Sequence, residues 1–286
     1  MDNDGSRIKQ TQAAAWGNSA EQYAADVHEG AGIMMPLIAA YVETAKEEVK
    51  GNPQILDVAS GTGEPGISLA KLFPGGTVTI TDIAEGMIAG AKGRADRLSL
   101  KNARFAVADG ENLSQFGDAT FDVVTCNAGL MFMPNYERAL AEFRRVLKPD
   151  GLAMVSAWGE EEQTNVASLM LAVQRAVAPN DSLFADPNIL GSREKLLHSL
   201  ERAGFSNNSC REVNVPMRFP KEKVRGMLQN PVIAELLDRL IERGEKDVAD
   251  SAHGALLDAA AKKGLLQENG EISCPTNIAL FVTARP

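Results

Sequence analysis

The stretch ILDVASGTGEPGISL, residues 55–69, decides the fold, because it joins a buried strand to a helix through a glycine-rich turn. ILDVA is short and apolar, as a fully buried strand would be. Gly61, Gly63 and Gly66 then spell G-x-G-x-x-G. Such a turn lets a ligand approach the backbone and exposes the first N–H groups of the helix. Because a phosphate and a carboxylate both fit there, the motif indicates a nucleotide site without choosing the nucleotide.

Strand and helix patterns alternate on both sides of this turn. Strands are predicted at 54–59, 77–82, 103–109, 121–128 and 152–158, with helices at 66–73, 85–98 and 135–149 between them. This alternation implies βαβ crossovers, a parallel sheet and helices on both of its faces. The predicted fold is therefore α/β, a Rossmann-like and mostly parallel sheet.

The flanking segments follow a different pattern. Helices are predicted at 6–26, 31–49, 161–178, 193–203 and most of 221–265, and strands at 209–219 and 277–285. The long helical stretch between the last two strands predicts a lid insertion over 220–270, although it would also be explained by packing against the sheet. We expect an N-terminal helical cap (1–50), a cofactor-binding core (51–160) and a substrate-side part (161–286), with the last part forming one compact unit with the core.

Composition excludes several classes of protein. The chain has 286 residues, of which 44% are hydrophobic, and a formal charge of −9, so a nucleic-acid partner is not expected. Three cysteines lie far apart and form no C-x-x-C pair, which is typical of buried thiols in a reducing compartment. The polar N-terminus and the lack of a membrane-length apolar run lead us to expect a cytoplasmic protein.

Three acids follow or end adjacent predicted strands. Asp57 lies in the first strand, Asp82 ends the second and Asp109 ends the third. Ligands of open α/β sheets bind at that edge, where an acid such as Asp82 accepts hydrogen bonds from ribose hydroxyls. Asp57 suits a positive amino group better than a pyrophosphate, and Asp109 suits the adenine amine. Any one acid there would be explained by a turn or cap, but the three together predict S-adenosyl-L-methionine.

The motifs resemble the class I S-adenosylmethionine-dependent methyltransferases, in particular the small-molecule branch of the ubiquinone/menaquinone biosynthesis methyltransferases. LDVASGTGEPG, TDIAEGMIAGAKGRA, ADGENLSQFGDATFDVVTCNAGLMFMPN and FRRVLKPDGLAMVSAW are similar to that family's successive motifs, over about residues 54–158. The resemblance implies a seven-stranded sheet with an antiparallel last strand. Asp150 departs from the family's L-K-P-G-G pattern at a turn position.

The resemblance also implies a set of site residues. By it, Asp57 faces the cofactor's ammonium directly or through water, Asp82 takes the ribose hydroxyls and Asp109 meets the adenine edge. The residues implied to bind the cofactor are Tyr23, Asp57, Ser60, Gly61, Gly63, Asp82, Ile83, Met87, Asp109, Gly110, Asn127 and Ala128. Leu130, Met131 and Phe132 are implied to line the acceptor side.

Methyl transfer from a sulfonium is an in-line displacement, so alignment and exclusion of water supply most of the catalysis. A general base is needed only when the acceptor must lose a proton. His28 is the candidate base, against the alternative of a solvated loop histidine, and His198 and His253 are weaker candidates. Methionines near the expected acceptor mouth favour an apolar or weakly polar small-molecule acceptor, although core filling explains them as well.

Two other functions stay open at this stage. An NAD-dependent oxidoreductase would use the same glycine motif, but Asp57, Asp109 and the lack of a Tyr-x-x-x-Lys motif count against it. A protein of the same fold that does not transfer methyl groups, a cofactor-assisted catalyst or a binding module, is compatible with every motif. The acceptor, the atom methylated and the oligomeric state are not determined by the sequence.

Overall fold

The structure is a computed structural model and describes residues 3–25, 32–181 and 186–286. Its helices are α1 (Asn3–Asn18), α2 (Ala20–Tyr23), α3 (Met35–Glu48), α4 (Gly66–Leu72), α5 (Glu85–Arg97), α6 (Tyr136–Val146), α7 (Asn165–Val177), α8 (Arg193–Arg202), α9 (Lys221–Val224), α10 (Pro231–Glu242) and α11 (Val248–Lys262). Its strands are β1 (Gln54–Asp57), β2 (Thr77–Asp82), β3 (Ala103–Val107), β4 (Phe121–Cys126), β5 (Leu147–Trp158), β6 (Ser206–Asn214), β7 (Met217–Phe219), β8 (Ile272–Cys274) and β9 (Ile278–Arg285).

Seven of the strands form one sheet in the order β3-β2-β1-β4-β5-β9-β6. The first five run parallel, and β9 runs antiparallel to both of its neighbours. In register, Asp57 at the end of β1 lies opposite Ile80 of β2 and Thr125 of β4. The predicted fold class, a mostly parallel Rossmann-like sheet with an antiparallel strand near its end, is confirmed.

Helices cover both faces of the sheet, and each face has its own hydrophobic core. On one face, α3 and α4 pack on the sheet through buried residues such as Leu37, Tyr41 and Ile67. On the other face, α6 and α8 do so through residues such as Phe143 and Leu196. The inner strands β1, β2, β4 and β9 are mostly buried because they are covered on both faces, whereas the edge strands β3 and β6 are mostly half-buried or exposed.

The predicted strand at 209–219 is wrong in one respect, because it divides into two strands of different sheets. Residues up to Asn214 pair with β9 as β6, whereas β7 pairs with the unpredicted β8 in a small second sheet. Pro216 lies between them. Since proline has no N–H to donate to a strand ladder, it ends the pairing at this point.

The first helix crosses the sheet edge that the strand ends form. The predicted helix at 6–26 is broken near Ser19 into α1 and α2. Helix α1 packs against α5 of the core on one side and against α10 on the other. It therefore connects the glycine-loop side of the molecule with the helices that follow β7. Within the described part of the chain, no helix is long and apolar enough to cross a membrane.

Candidate active site

A cleft of about 100 Å³ opens at the carboxyl ends of β1, β2, β3 and β4, beneath α1. Neighbouring parallel strands bring their ends to the same edge of the sheet, which is where open α/β sheets bind ligands. The lining residues are Lys9, Gln12, Trp16, Tyr23, Ala59, Ser60, Gly61, Glu64, Asp82, Ile83, Met87, Ala108, Asp109, Gly110, Glu111, Asn127, Ala128, Gly129, Phe132, Met133 and Pro134.

The glycine loop forms one wall of this cleft. Gly61 has a φ of +55° and Gly63 a φ of +107°, values that side-chain-bearing residues rarely adopt. A Cβ on Gly61 would lie 3.3 Å from the ring of Tyr23, so this glycine lets α2 approach the loop. A Cβ on Gly63 would lie 2.7 Å from Cδ1 of Ile67. Gly63 therefore serves the packing of α4 and does not line the cleft.

Asp82 connects the glycine loop to the start of α5. Its Oδ2 accepts a hydrogen bond from the N–H of Gly61 at 2.9 Å, and its Oδ1 accepts one from the N–H of Ala84 at 2.9 Å. Burial raises the pKa of this carboxyl group, and the backbone hydrogen bonds act in the opposite direction. Asp82 is 7% exposed and lines the cleft, so it is a nearly buried acceptor at the place predicted for ribose hydroxyls.

Asp57 lies behind the glycine loop and does not line the cleft. Its contact with a ligand ammonium, directly or through water, stays a prediction. It is fully buried, and its carboxylate accepts hydrogen bonds from Oγ1 of Thr125 at 2.6 Å and from the N–H of Gly66 at 2.8 Å. Burial raises its pKa to about 7, although both hydrogen bonds lower it. Both oxygens are thus used to join β1 to β4 and to the first turn of α4.

Asp109 forms the far end of the cleft together with two residues that the sequence did not single out. Its Oδ2 lies 2.8 Å from Nζ of Lys9, and Nζ also lies 2.5 Å from Oε2 of Glu111. Burial lowers the pKa of Lys9, but hydrogen bonds to the two acids and their charges outweigh it and raise the pKa. Lys9 therefore stays charged and joins α1 to the end of β3.

The loop after β4 forms another wall of the cleft and packs against the loop after β1. Ala128 has a φ of +49°, and Ala59, which follows β1, has a φ of +52°. A Cβ on Gly129 would lie only 2.6 Å from the Cβ of Ala59, so only glycine allows the two loops to come together. Oγ of Ser156 accepts the N–H of Ala128 at 3.0 Å and donates to Oδ1 of Asn127 at 3.1 Å. This anchoring holds Ala128 in its strained conformation at the cleft.

A second cavity, of about 240 Å³, adjoins the first. Four residues line both cavities: Trp16, Tyr23, Ala128 and Phe132. The indole of Trp16 lies 5.6 Å from the ring of Tyr23 and 5.5 Å from that of Phe132, in edge-to-face contacts. Burial, followed by the charge of Asp82, raises the pKa of Tyr23 to about 12, so this phenol is neutral at physiological pH. The two cavities meet at this aromatic wall.

Most of the sequence-predicted site residues come together here. The cleft is lined by Tyr23, Ser60, Gly61, Asp82, Ile83, Met87, Asp109, Gly110, Asn127, Ala128 and Phe132. Asp57 and Gly63 lie behind it, and Met131 is buried in the core on the α6 side. His28 lies outside the described residues. His198 is exposed on α8 and His253 is half-buried on α11, and neither lines either cavity.

Sequence reasoning missed the contribution of α1 and of Glu111. Lys9 and Trp16 reach the cleft from a helix that lies well before its other walls in sequence, with Lys9 a hundred residues before Asp109, and local periodicity carries no information on that docking. Two signals were nevertheless present: Trp16 is one of only two tryptophans, and Glu111 lies two residues after Asp109.

Comparison with known proteins identifies the family. A family model described as a methyltransferase domain matches residues 55–151. A ubiquinone/menaquinone biosynthesis C-methyltransferase, UbiE of Rickettsia felis, is 31% identical over 180 residues, which are 57% of this chain and 72% of that protein. This chain belongs to the class I S-adenosylmethionine-dependent methyltransferases. A malonyl-[acyl-carrier protein] O-methyltransferase of Geobacter sulfurreducens is likewise similar, 32% identical over 178 residues.

The similarity to other methyltransferases does not extend over their whole length. The match covers 60% of this chain and 60% of the Geobacter protein. Among solved structures, the match to the YcgJ protein of Bacillus subtilis covers 87% of this chain and 97% of the YcgJ chain. The identity is 20% and the TM-score 0.61, which shows a shared fold. The methyltransferase fold therefore extends beyond the stretch in which sequence similarity is detected.

Proposed function

We propose that this methyltransferase binds S-adenosyl-L-methionine in the cleft and transfers its methyl group to a small organic acceptor held in the adjoining cavity. The observation that carries the proposal is the meeting of the two cavities at Trp16, Tyr23, Ala128 and Phe132. A displacement at carbon requires donor and acceptor to be held end to end, and two cavities that share one wall provide that arrangement.

The charges of the cleft support a cationic nucleoside. Four carboxylates line it, those of Glu64, Asp82, Asp109 and Glu111. Glu64 is neutralised by Arg94 at 3.0 Å, so three acids face one described lining cation, Lys9. A sulfonium compound with an ammonium group is attracted to such a surface, whereas the pyrophosphate of a nicotinamide dinucleotide is repelled. The cleft therefore favours the methyl donor over NAD.

The residue types present also fit the parts of the cofactor. We propose that Asp82 accepts hydrogen bonds from the ribose, that Ile83 and Met87 pack beside the base, and that Asp109 and Gly110 lie at the adenine edge. We assign Ser60, Gly61, Asn127 and Ala128 to the methionine portion and sulfonium end, with Tyr23 covering it. Asp57 and Gly63 act indirectly, by holding the glycine loop in place.

Bound S-adenosylmethionine supplies an electrophilic methyl group. This chain's residues therefore need to orient the cofactor and the acceptor, to cover them and to exclude water. Helix α1 covers the cleft and is fixed to it near its middle by Lys9, which pairs with Asp109 and Glu111. Near its C-terminal end, Trp16 packs against Tyr23 and Phe132. These contacts keep water away from the junction of the cavities, where the reacting atoms meet.

The acceptor cavity is mainly apolar, which supports an apolar acceptor. Met34, Trp158, Met170, Met217 and Met227 are among its lining residues. No histidine lies among the described residues of either lining. The assignment of His28 as a general base stays a prediction, because it falls outside the described part of the chain.

Product detection tests this function directly. Purified protein is incubated with S-adenosylmethionine and a library of small apolar metabolites, and mass spectrometry searches for a gain of about 14 daltons together with S-adenosylhomocysteine. Both products are expected, and both should depend on Asp82. A conversion of library compounds that needs the cofactor but adds no methyl group would instead support the non-methylating alternative.

A further inference from the structure

The second cavity has an unusual charge distribution in a protein with 67 charged Lys, Arg, Asp and Glu side chains (29 + 38). Its described lining consists of apolar residues such as Trp158 and Met170 and of uncharged polar residues such as Thr164, Gln229 and Asn277. None of these described residues carries a formal charge at neutral pH. The adjoining cleft, by contrast, is lined by five charged residues.

The two most buried polar side chains of this cavity are occupied by the protein itself. Nδ2 of Asn277 donates to the carbonyls of Val215 and Cys274, both at 3.1 Å, and its Oδ1 accepts the N–H of Val166 at 2.8 Å. Oγ1 of Thr164 donates to the carbonyl of Ile278 at 3.4 Å. These groups therefore offer little hydrogen bonding to a charged acceptor.

A charge brought into this cavity away from the sulfonium would have no counter-charge among the described residues that line it. Transferring an unpaired ion from water into apolar surroundings is strongly unfavourable, more so than transferring a neutral polar group. Negative charge is tolerated only at the reacting atom, because the sulfonium of the bound methyl donor pairs with it there. Positive charge is repelled by the same sulfonium.

We propose that the acceptor is a neutral, mainly apolar molecule whose single ionisable group is the weakly acidic nucleophile, and that carboxylate, phosphate and ammonium compounds are rejected. This inference rests on the proposed function. In the transfer, the nucleophile's electron pair forms the bond to the methyl carbon, the carbon–sulfur bond breaks, and its electron pair stays on sulfur. The nucleophile's proton goes to solvent, which gives methylated acceptor, S-adenosylhomocysteine and one proton.

Matched probes test this inference. We would titrate 2-naphthol, 6-hydroxy-2-naphthoate and (6-hydroxynaphthalen-2-yl)methylammonium into the free protein and into protein saturated with S-adenosylhomocysteine. The naphthol is expected to bind at least about 100-fold more tightly than either charged analogue, since each would carry an unpaired charge into the cavity. Equal or tighter binding of a charged analogue, no binding of 2-naphthol, or methylation of malonyl-coenzyme A would overturn the proposal.

Charged variants of the cavity wall give a second test. Val232, half-buried on α10, and Gln229, exposed before it, both line the cavity. Val232→Lys and Gln229→Lys are expected to narrow the preference for 2-naphthol over the naphthoate by at least about tenfold, because each adds a counter-charge. Val232→Met and Gln229→Met are the neutral controls and should keep the wild-type ranking. A ranking that no lysine variant shifts would contradict the inference.

The two proposals fail in distinguishable ways. If S-adenosylhomocysteine and S-adenosylmethionine do not bind, the proposed function fails whatever the naphthol ranking is. If they bind and the charged probes bind best, the methyl-donor site stands and only the acceptor class is wrong.

Discussion

Nζ of Lys9 lies 2.8 Å from Oδ2 of Asp109, so a residue of the first helix is paired with the residue that follows the third strand of the core. The same ammonium pairs with Glu111, whose side chain is only 5% exposed. Helix α1 thus closes the cleft by charge pairing near its middle and by aromatic packing near its C-terminal end. The cover over the proposed cofactor site depends on side chains that lie far apart in sequence.

Removing this pairing should loosen the cover. Lys9→Met leaves Asp109 and Glu111 without their cation, and we expect S-adenosylmethionine to bind about three- to tenfold more weakly, the effect of about 1 kcal/mol that a partly exposed ion pair contributes. Titration calorimetry measures the affinity, and limited proteolysis measures the exposure of α1. Lys9→Arg keeps the charge and should stay close to wild type. Tighter binding by Lys9→Met would show that Lys9 competes with the cofactor instead.

Asp82 is expected to be the most sensitive polar residue of the cleft. Asp82→Ala removes the acceptor of the Gly61 N–H as well as the proposed ribose contacts, and hydrogen bonds to charged groups contribute about 1.5–3 kcal/mol each. Binding of S-adenosylmethionine should weaken by at least about tenfold. Asp96→Asn, an exposed change on α5, is the control. Unchanged affinity in Asp82→Ala would refute the ribose assignment.

The buried carboxyl of Asp57 should make stability depend on pH. Its pKa is raised from 3.8 to about 7 in the folded protein, so between these pH values the folded state holds a proton that the unfolded state has released. Stability due to this group is complete below about pH 4 and is lost as pH rises through about 7. Urea unfolding at pH 5 and pH 8 should show a smaller loss in Asp57→Asn than in wild type. Equal losses in both proteins would contradict this assignment.

The contact between the loops after β1 and β4 leaves no room for a side chain at Gly129. Gly129→Ala would place a Cβ 2.6 Å from that of Ala59. The Ala59 side chain is a single methyl group that cannot rotate away, so the substitution should destabilise the fold by about 1–3 kcal/mol. Gly254→Ala is the matched control, because a Cβ there meets nothing within 4 Å and the position is helical. It should leave stability unchanged or raise it by up to about 1 kcal/mol. Urea denaturation distinguishes them, and a neutral Gly129→Ala would contradict the described loop contact.

The parts of the fold that local pattern encodes were predictable from the sequence. The strand at 77–82 was predicted with its observed bounds, since its β-branched residues and flanking turns are local signals. The division of the predicted strand at 209–219 and the strand β8 were not predicted, because pairing partners depend on where distant segments dock. Pro216 was the local signal for that division.

The site residues that lie at strand ends were also predictable from local sequence patterns, whereas those brought in by a distant helix were not. Asp82, Asp109 and the glycine loop are placed by strand ends and were predicted to meet, whereas Lys9 and Trp16 come from a helix whose position the sequence pattern does not specify. Asp57 was expected to face the ligand ammonium, directly or through water, and that role stays a prediction. Its side chain points to the protein interior, where Thr125 and Gly66 use both of its oxygens.

Titration of the wild-type protein with S-adenosylmethionine and, separately, with NAD tests the central claim most directly. The excess of carboxylates in the cleft predicts submicromolar to micromolar binding of the sulfonium nucleoside and no detectable binding of the dinucleotide. Binding of NAD with no binding of S-adenosylmethionine would contradict the account.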